Sequence, residues 1–306
     1  MLKTLIACTD EIDDIETAVN SIKTQLDLEN NLCKNSIGII ACHEESVWSG
    51  VMKAVCEAMP FDVLGAVSLA QAANEESGTF LMTLTVLTSD DVSFVTDLTP
   101  SLLIEPVKTL EDSYNKAASQ EEGSPALILS FAPFMVENSG DDYVNTFTRI
   151  SGGVPCFGTV AIDSSEANDH CFSIFNGQHY NDRMGMVLVY GDIKPRFFIA
   201  TISPSNVMDK AALVTKSEGH ILMEVNDRPV VEYFESLGLT NASETQYAMS
   251  SLPLMLDYGD GTPQISKVFV SLTPEKYALC AGKMPEGSTM YIGVFDKEDV
   301  LLTHHP

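Results

Sequence analysis

Basic residues are scarce in this sequence. The 306-residue chain has 17 lysines and arginines against 43 aspartates and glutamates, which gives a formal net charge of −26. Nucleic acid and anionic membrane surfaces repel a chain of this charge, so the composition argues against both as partners. A site for an anionic group would have to concentrate the few basic side chains that are present.

Long apolar runs and paired cysteines are also missing. No apolar run approaches the roughly 20 residues of a membrane span, and Asp10 and Glu11 come too early for a signal peptide. The seven cysteines include no Cys-x-x-Cys pair, and most lie inside apolar runs, which is typical of reduced, buried thiols. The sequence therefore predicts a cytoplasmic protein.

Familiar catalytic signatures are absent as well. The sequence contains no GxSxG, HExxH or Walker A motif and no GxGxxG between a strand and a helix. Cys42-His43-Glu44 follows a predicted strand at its carboxyl end, where α/β proteins often place sites. Neighbouring strand residues point to opposite faces, which keeps Cys42 from pairing with His43 as nucleophile and base. The prediction is that the protein is not an enzyme.

The patterns that are present predict an α/β fold built from a duplicated unit. The order strand, helix, strand, bend, strand, strand occurs over residues 36–98 and recurs over 126–202. The second strands of the two copies carry glycine at the same place, Gly65 and Gly158. Because strands first alternate with helices and then follow one another directly, each unit should mix parallel and antiparallel pairing.

The stretch from Gly152 to Asp163 is the strongest indication of a ligand site. Two glycines and a proline lead into a loosely alternating apolar run, as in a half-buried strand. Three further runs follow at hairpin spacing, 170–177, 184–190 and 196–202, and Asn176-Gly177 suits a primed two-residue turn. This pattern predicts a strand meander that is entered through a glycine-rich bend.

Eight residues around the bend are candidates for binding a ligand. They are Gly152, Gly153, Gly158, Asp163, Ser164, Phe175, Asn176 and Arg183. The backbone N–H groups of the bend can cradle an anion, although glycine serves equally well to end a helix before a strand. An amino-acid ligand needs a carboxylate for its ammonium group and a basic partner for its carboxylate, for which Asp163 and Arg183 are the candidates. The same residues also fit ordinary strand-end and turn chemistry.

Histidines near this stretch leave a cofactor open but do not predict a metal site. His170-Cys171 and His179 resemble part of such a site, yet strand alternation separates His170 from Cys171, and no second close pair completes four ligands. We therefore predict no metal. Haem needs only one axial histidine, so haem remains an alternative with His43, His170, His179 or His220 as its ligand.

The pattern changes after Ser203 and predicts a second, smaller domain. Short predicted strands surround one helix that Pro229 opens and Gly238 ends. The segment from Asp257 to Gly261 reads as a turn, because it lacks the ligand spacing of a calcium loop. The expected organisation is a mixed α/β domain over 1–202 and an α+β domain over 203–306.

Three segments together resemble the FIST family of sensory domains. They are 153–163, the Phe175-Asn176-Gly177 hairpin, and the segment 214–229 with its sequence VTKSEGHILMEVNDRP; a late turn at 285–288 adds to the likeness. The resemblance covers nearly the whole chain and implies an N-terminal FIST domain over 1–202 and a C-terminal FIST domain, whole or incomplete, over 203–306.

The same resemblance implies a role in intracellular signal transduction and a small ligand, with amino acids as a proposed class; some relatives are associated with haem. Family chains often continue beyond the point where this one stops, so the output module is either a separate protein or a fused one. We therefore expect a bacterial-type sensory module that binds a small molecule. A haem-based gas sensor and an interaction scaffold without a ligand are the alternatives.

Overall fold

The computed structural model describes residues 2–164, 168–198, 202, 204–238, 253–261 and 264–293. The chain divides into two compact units. The first consists of Met1–Asn138 and Asp142–Arg196, and the second of Ser139–Asp141 and Phe197–Pro306. The sequence places this division at 202/203.

The first unit is a mixed α/β structure. Its strands are β1 (Lys3–Thr9), β2 (Asn35–Cys42), β3 (Val63–Val67), β4 (Gln71–Ala73), β5 (Glu76–Gly78), β6 (Met82–Ser89), β7 (Ser93–Leu98), β8 (Leu127–Ala132), β9 (Cys156–Val160), β10 (Ser173–Phe175), β11 (Gln178–Tyr180) and β12 (Gly185–Tyr190). Its helices are α1 (Ile15–Leu26), α2 (Leu28–Asn31), α3 (Glu44–Trp48), α4 (Val51–Glu57), α5 (Pro106–Ala118) and α6 (Gly140–Ile150).

Two sheets of this unit repeat one strand order. One sheet runs β1-β6-β2-β3-β10-β11, and the other runs β7-β12-β8-β9. In the first sheet, β6 is antiparallel to both β1 and β2, and β2 is parallel to β3. In the second, β12 is antiparallel to both β7 and β8, and β8 is parallel to β9. The mixed pairing and the duplication predicted from the sequence are confirmed.

The strand order also assigns the boundaries of the repeated unit. The strands β1, β2, β3 and β6 correspond to β7, β8, β9 and β12, so the two copies span 3–89 and 93–190. The sequence places the copies at 36–98 and 126–202 instead. Each copy therefore begins one strand earlier, the first with β1, α1 and α2 and the second with β7 and α5, so β7 opens the second copy rather than closing the first.

Gly65 and Gly158 occupy equivalent points in the two copies. Gly65 of β3 lies opposite Ile40 of β2, and Gly158 of β9 lies opposite Ser130 of β8. A Cβ atom on Gly65 would stand 1.7 Å from the carbonyl oxygen of Ile40, and one on Gly158 would stand 2.2 Å from that of Ser130. The absence of a side chain lets the parallel strands approach, which explains why both copies carry glycine here.

The predicted strand meander is wrong. Strand β9 belongs to the second sheet, whereas β10 pairs with β3 and β11 in the first, and the chain then returns to the second sheet with β12. The predicted turn is confirmed: Asn176 and Gly177 join β10 to β11 with φ values of 48° and 77°. Of the predicted fourth strand, residues 196–198 form no strand, and 199–201 lie outside the described residues.

The second unit is barrel-like. Its elements are β13 (Ala212–Glu218), β14 (Ile221–Val225), β15 (Arg228–Pro229), α7 (Val230–Ser236), β16 (Pro253–Asp257), β17 (Ile265–Leu272), β18 (Ala278–Cys280) and β19 (Thr289–Ile292). The sheet runs β13-β19-β16-β17-β18-β14-β15, and β13 also pairs with β14, which closes the ring of strands. Its core includes Leu222, Phe234 and Phe269. None of the helices in the described ranges is both long and apolar enough to cross a membrane.

Candidate functional site

The carboxyl ends of parallel strands from both copies meet in the first unit. The N–H of Ser68, just after β3, donates to the carbonyl of Cys42 at the end of β2 (2.9 Å). The N–H of Ile162, just after β9, donates to the carbonyl of Val67 at the end of β3 (3.2 Å). Ligands of α/β proteins bind at such carboxyl ends, so the residues following β2 and β9 form the candidate site.

Two buried carboxylates lie at this place. Glu44 follows β2 and is 4% exposed, and Asp163 follows β9 and is also 4% exposed. Both the N–H and the hydroxyl of Ser164 donate to Oε1 of Glu44, the N–H at 3.3 Å. Oε2 of Glu44 lies 3.3 Å from Nε2 of His43 but accepts no hydrogen bond. Oδ2 of Asp163 accepts the N–H of His170 at 2.6 Å.

Aromatic rings form the rim beside the carboxylates. The Trp48 indole, at the end of α3, makes edge contacts with the rings of His170, Phe172 and His179, with centroids 5.1, 5.5 and 5.9 Å apart. Phe172 and His179 stack at a tilt with centroids 4.6 Å apart. Trp48 is 49% exposed and His179 is exposed as well, His170 is half-buried, and Phe172 is buried beneath them, so the outer rings are open to solvent while the carboxylates are not. We call Trp48, His170, Phe172 and His179 the aromatic rim.

The electrostatics of the site disfavour thiolates. Burial raises the pKa of the Cys42 thiol, and the charges of Cys56 and Glu44 add to this effect. Burial likewise raises the pKa of Cys171, and the negative charges of Asp163 and Glu44 raise it further. The same carboxylates would stabilise a positive charge placed between them and the aromatic rim.

Asp163, Asp169 and His170 bring three metal-ligand atoms within 4.8 Å of one another. Nδ1 of His170 lies 3.9 Å from Oδ2 of Asp163, and Nε2 lies 3.6 Å from Oδ1 of Asp169. The two carboxylates thus face different nitrogens of one imidazole. A metal ion binds only one nitrogen of an imidazole, so only one of these carboxylates lies beside the nitrogen that would hold it. This geometry favours an imidazole held between two carboxylates over a shared metal ion.

Asp163 and Ser164 are the predicted ligand residues that lie at this site. The predicted glycine-rich bend lies at the other end of β9. Gly152 and Gly153 have φ values of 71° and 94°, and the N–H of Gly153 donates to the carbonyl of Thr148 in α6. Their observed role is to end α6 before β9 begins. Gly158 lies inside β9, where it allows the close approach to β8.

Phe175, Asn176 and Arg183 have other surroundings. Phe175 packs with the residues between the sheets, and Asn176 lies at the amino end of β3 rather than its carboxyl end. The Arg183 guanidinium lies 5.2 Å from the centre of the Tyr180 ring and 3.9 Å from the carboxylate of Asp182. None of these contacts brings the three residues to Asp163.

Asn176 joins the β10–β11 hairpin to β3. Its Oδ1 accepts the N–H of Val63, and its Nδ2 donates to Oδ1 of Asp62, both at 2.8 Å. We expect Asn176→Ala to lower the free energy of unfolding by about 2–4 kcal/mol, because it leaves the buried Val63 N–H unpaired and replaces asparagine, which tolerates a positive φ, by alanine, which tolerates it less. Glycine adopts this positive φ without strain, so Asn176→Gly should lower the free energy of unfolding by about half as much. Urea unfolding of both variants tests this, and equal losses would contradict it.

His179 should give the folded protein a pH-dependent stability. The rings of Trp48 and Phe172 cover part of the His179 imidazole, and this partial burial lowers its pKa from the ordinary value of 6.5. The unfolded chain therefore binds this proton more readily, and the contribution of neutral His179 to stability is lost as the pH falls below 6.5. We expect His179→Gln to lose less stability than the parent between about pH 7.5 and pH 5.5. The quantity to compare is the difference in the free energy of unfolding between the two proteins at each pH, because acid also relieves repulsion among the many carboxylates in both. Identical pH profiles of stability would contradict the role assigned to His179.

Trp48 and Phe172 are not among the residues predicted from the sequence to form a site. Glu44 is named there only as part of the catalytic candidate Cys42-His43-Glu44. Glu44 meets Ser164 across 120 positions of sequence. The signal that was available is the one tryptophan of the chain, four residues after Glu44.

The fold and the site define the class: a mixed α/β protein with a duplicated strand order and a candidate ligand site at its strand ends. The family model described as the FIST N domain matches residues 36–228, which is more than half of the chain. The chain belongs to the FIST family, whose domain is a sensory domain of signal transduction. The C-terminal FIST domain, expected from the sequence, stays a prediction.

Comparison with other proteins adds little to this assignment. No curated protein shows significant sequence similarity to the chain. Among solved structures, a cyanuric acid hydrolase from A. caulinodans is similar with a TM-score of 0.33 and 7% identity, covering 62% of this chain and 70% of that one. A second cyanuric acid hydrolase has a TM-score of 0.38 and 8% identity, covering 96% and 99%. Both likenesses are too weak to assign an activity.

Proposed function

We propose that this chain is a cytoplasmic sensory module that binds a small metabolite with an amino group, with amino acids as the first class to test. The observation that carries the proposal is the pair of buried carboxylates, Glu44 and Asp163, beside an aromatic rim at the strand ends whose Trp48 ring is exposed to solvent. The FIST family supplies the sensory role.

The carboxylates support a cationic group on the ligand. Glu44 is held by the hydroxyl and N–H of Ser164, so its orientation is set before a ligand arrives. Its Oε2 is buried and accepts no hydrogen bond, which leaves an acceptor for an N–H donor. Hydrogen bonds between an ammonium group and a carboxylate are stronger than neutral ones and gain further strength away from water.

The aromatic rim supports the same choice of ligand. An indole face attracts a cation electrostatically, and the exposed Trp48 lies on the same side of the molecule as His170 and His179, whose rings it contacts. Rings also cover apolar carbon atoms, so an amino acid with an apolar or aromatic side chain would fit both parts of the site.

We propose binding rather than catalysis. Cys42 is fully buried with a raised pKa, so it resists becoming the thiolate that acts as nucleophile. Ser164 contacts Glu44, and Glu44 lies between Ser164 and His43. A nucleophilic triad places histidine between serine and the acid, which this order does not reproduce.

We further propose that binding requires no cofactor and that the bound state is passed to an output protein or a fused module, without nucleic acid or membrane. Haem is the alternative cofactor, and His170 and His179 on the aromatic rim are the histidines that this site would offer it. A haem protein would be coloured and would show a Soret band after incubation with haemin.

Thermal unfolding against the common amino acids, simple amines and haemin tests the proposal. A ligand that binds the folded state alone adds about 2.7 kcal/mol of stability at a hundredfold excess over Kd, so a true ligand gives a clear rise in Tm. We expect a saturable rise with amino compounds and none with their carboxylate-only analogues. A rise with haemin alone would favour the haem alternative, and a flat panel would favour a scaffold without a ligand.

A further inference from the structure

The negative charge of the candidate site is concentrated in one place. Ser164, which bonds Glu44 through its N–H and its hydroxyl, directly follows Asp163 in the chain. Burial raises the pKa of the Cys171 thiol, and the charges of Asp163 and Glu44 both raise it further, so the two carboxylates act on the same buried atom. A third carboxylate, that of Asp169, brings an oxygen atom within 4.8 Å of one on Asp163. A single ammonium group therefore leaves part of this charge uncompensated.

Neutral groups hold the two buried carboxylates in place. The N–H and the hydroxyl of Ser164 donate to Glu44, and the backbone N–H of His170 donates to Asp163 at 2.6 Å. Such bonds orient a carboxylate but do not cancel its charge. An uncompensated buried charge is costly, so a ligand that excludes water from this site binds best when it brings a cation to each carboxylate.

The carboxylate of an amino acid would find an unfavourable environment here. Arg183, the basic residue predicted for that role, contacts Tyr180 and Asp182 instead. The glycine-rich bend lies at the other end of β9, and the N–H of Gly153 is used within the chain to end α6. The three carboxylates of the site repel a fourth, which lowers the affinity for any ligand that carries one.

The aromatic rim suits an uncharged carbon chain between two cations. The Trp48 indole stands at 82°, 89° and 84° to the ring planes of His170, Phe172 and His179. The indole therefore stacks face to face with none of these rings, and it is 49% exposed. An indole face that is open in this way attracts an ammonium group and covers the methylene groups beside it.

We propose that the ligand of this site is a short linear diamine, with one ammonium group on Glu44, the other on Asp163, and its carbon chain against Trp48. This inference rests on the proposed function, namely that the site binds an amino compound, and it names the class of that compound. The buried Oε2 of Glu44 accepts no hydrogen bond and takes one from the first ammonium group. The second ammonium group compensates the charge that a monoamine leaves.

The test is calorimetric titration of the full chain with three matched amines. They are diaminobutane with an amino group at each end, butylamine, which lacks the second amino group, and ornithine, which adds a carboxylate to the same diamine. At pH 8, histidine side chains are ordinarily neutral and alkyl ammonium groups are charged. We expect diaminobutane to bind at least about tenfold more tightly than either of the other two.

A variant of one carboxylate separates the two ammonium contacts. Asp163→Asn keeps an oxygen for the N–H of His170 but removes the charge. Diaminobutane and butylamine should then bind within about threefold of each other, while the affinity for butylamine stays near that of the parent and shows that the site is intact. Glu45→Gln, at an exposed neighbour of Glu44, should leave the advantage of diaminobutane unchanged.

Three results would overturn the proposal. Butylamine that binds as tightly as diaminobutane would show that one cation is enough, and ornithine or leucine that binds more tightly would show that the site accepts a carboxylate. Both of these results leave the proposed function intact. If no amino compound binds, the proposed function fails and this inference fails with it. Thermal unfolding checks that Asp163→Asn folds, and if it does not, the order of the three amines on the parent chain decides.

Discussion

We expect Gly65→Ala to lower the free energy of unfolding by more than about 3 kcal/mol or to prevent folding. The added Cβ would stand 1.7 Å from the carbonyl oxygen of Ile40, and that oxygen belongs to the backbone of the neighbouring strand rather than to a side chain that can rotate away. To accept the methyl group, β2 and β3 would have to separate, and their hydrogen bonds would be lost.

Gly152→Ala provides the control. Gly152 has a positive φ of 71°, unlike Gly65, but no atom lies within 4 Å of the place where its Cβ would be. Gly152→Ala should lower the free energy of unfolding by only about 1–2 kcal/mol, the cost of a left-handed backbone at a residue with a Cβ atom. Circular dichroism during urea unfolding distinguishes the two, and a Gly65→Ala protein as stable as Gly152→Ala would show that the strands do not approach as closely as described.

The second large effect concerns the ligand. We expect Glu44→Gln to weaken binding of the most stabilising amino compound by about 10- to 100-fold, because it removes the charge from a hydrogen bond that is worth about 1.5–3 kcal/mol when charged. The amide has the shape of the carboxylate, so the fold should be retained. Calorimetric titration measures the change in Kd.

Glu45→Gln is the matched control, because Glu45 is the next residue and its side chain is exposed. The two variants carry the same change in net charge, so a general electrostatic effect would weaken binding equally in both. A selective loss in Glu44→Gln supports the site between Glu44, Asp163 and the aromatic rim. Equal affinities in the parent and both variants would place the ligand elsewhere.

The duplicated unit was predictable because its signals are local. Apolar runs of strand length alternate with amphipathic helices in the same order twice, and Gly65 and Gly158 mark the same point in each copy. The boundaries of the copies were not predictable in the same way. Strands β6 and β7 follow one another closely, and only pairing shows that β6 lies between β1 and β2 while β7 pairs with β12.

The site was predictable in part. Asp163 and Ser164 stand at the end of a recognisable strand, and such ends gather polar groups. The predicted partners in the glycine-rich bend lie at the other end of β9. A strand rises about 3.3 Å per residue, so residues at its two ends are far apart. Arg183 contacts Tyr180 and Asp182, its own neighbours in sequence.

By itself, the sequence determined the class of fold, the repeated order of strands and helices, the turn at Asn176-Gly177 and the acidic character of the chain, since each depends on residues close in sequence. The tertiary structure decided which strands pair, that hairpin β10–β11 crosses to the other copy, and that Glu44 meets Ser164 beside the aromatic rim. These contacts join residues that are distant in sequence, 120 positions apart for Glu44 and Ser164. Packing and backbone hydrogen bonding choose them from many pairings that the local pattern permits equally.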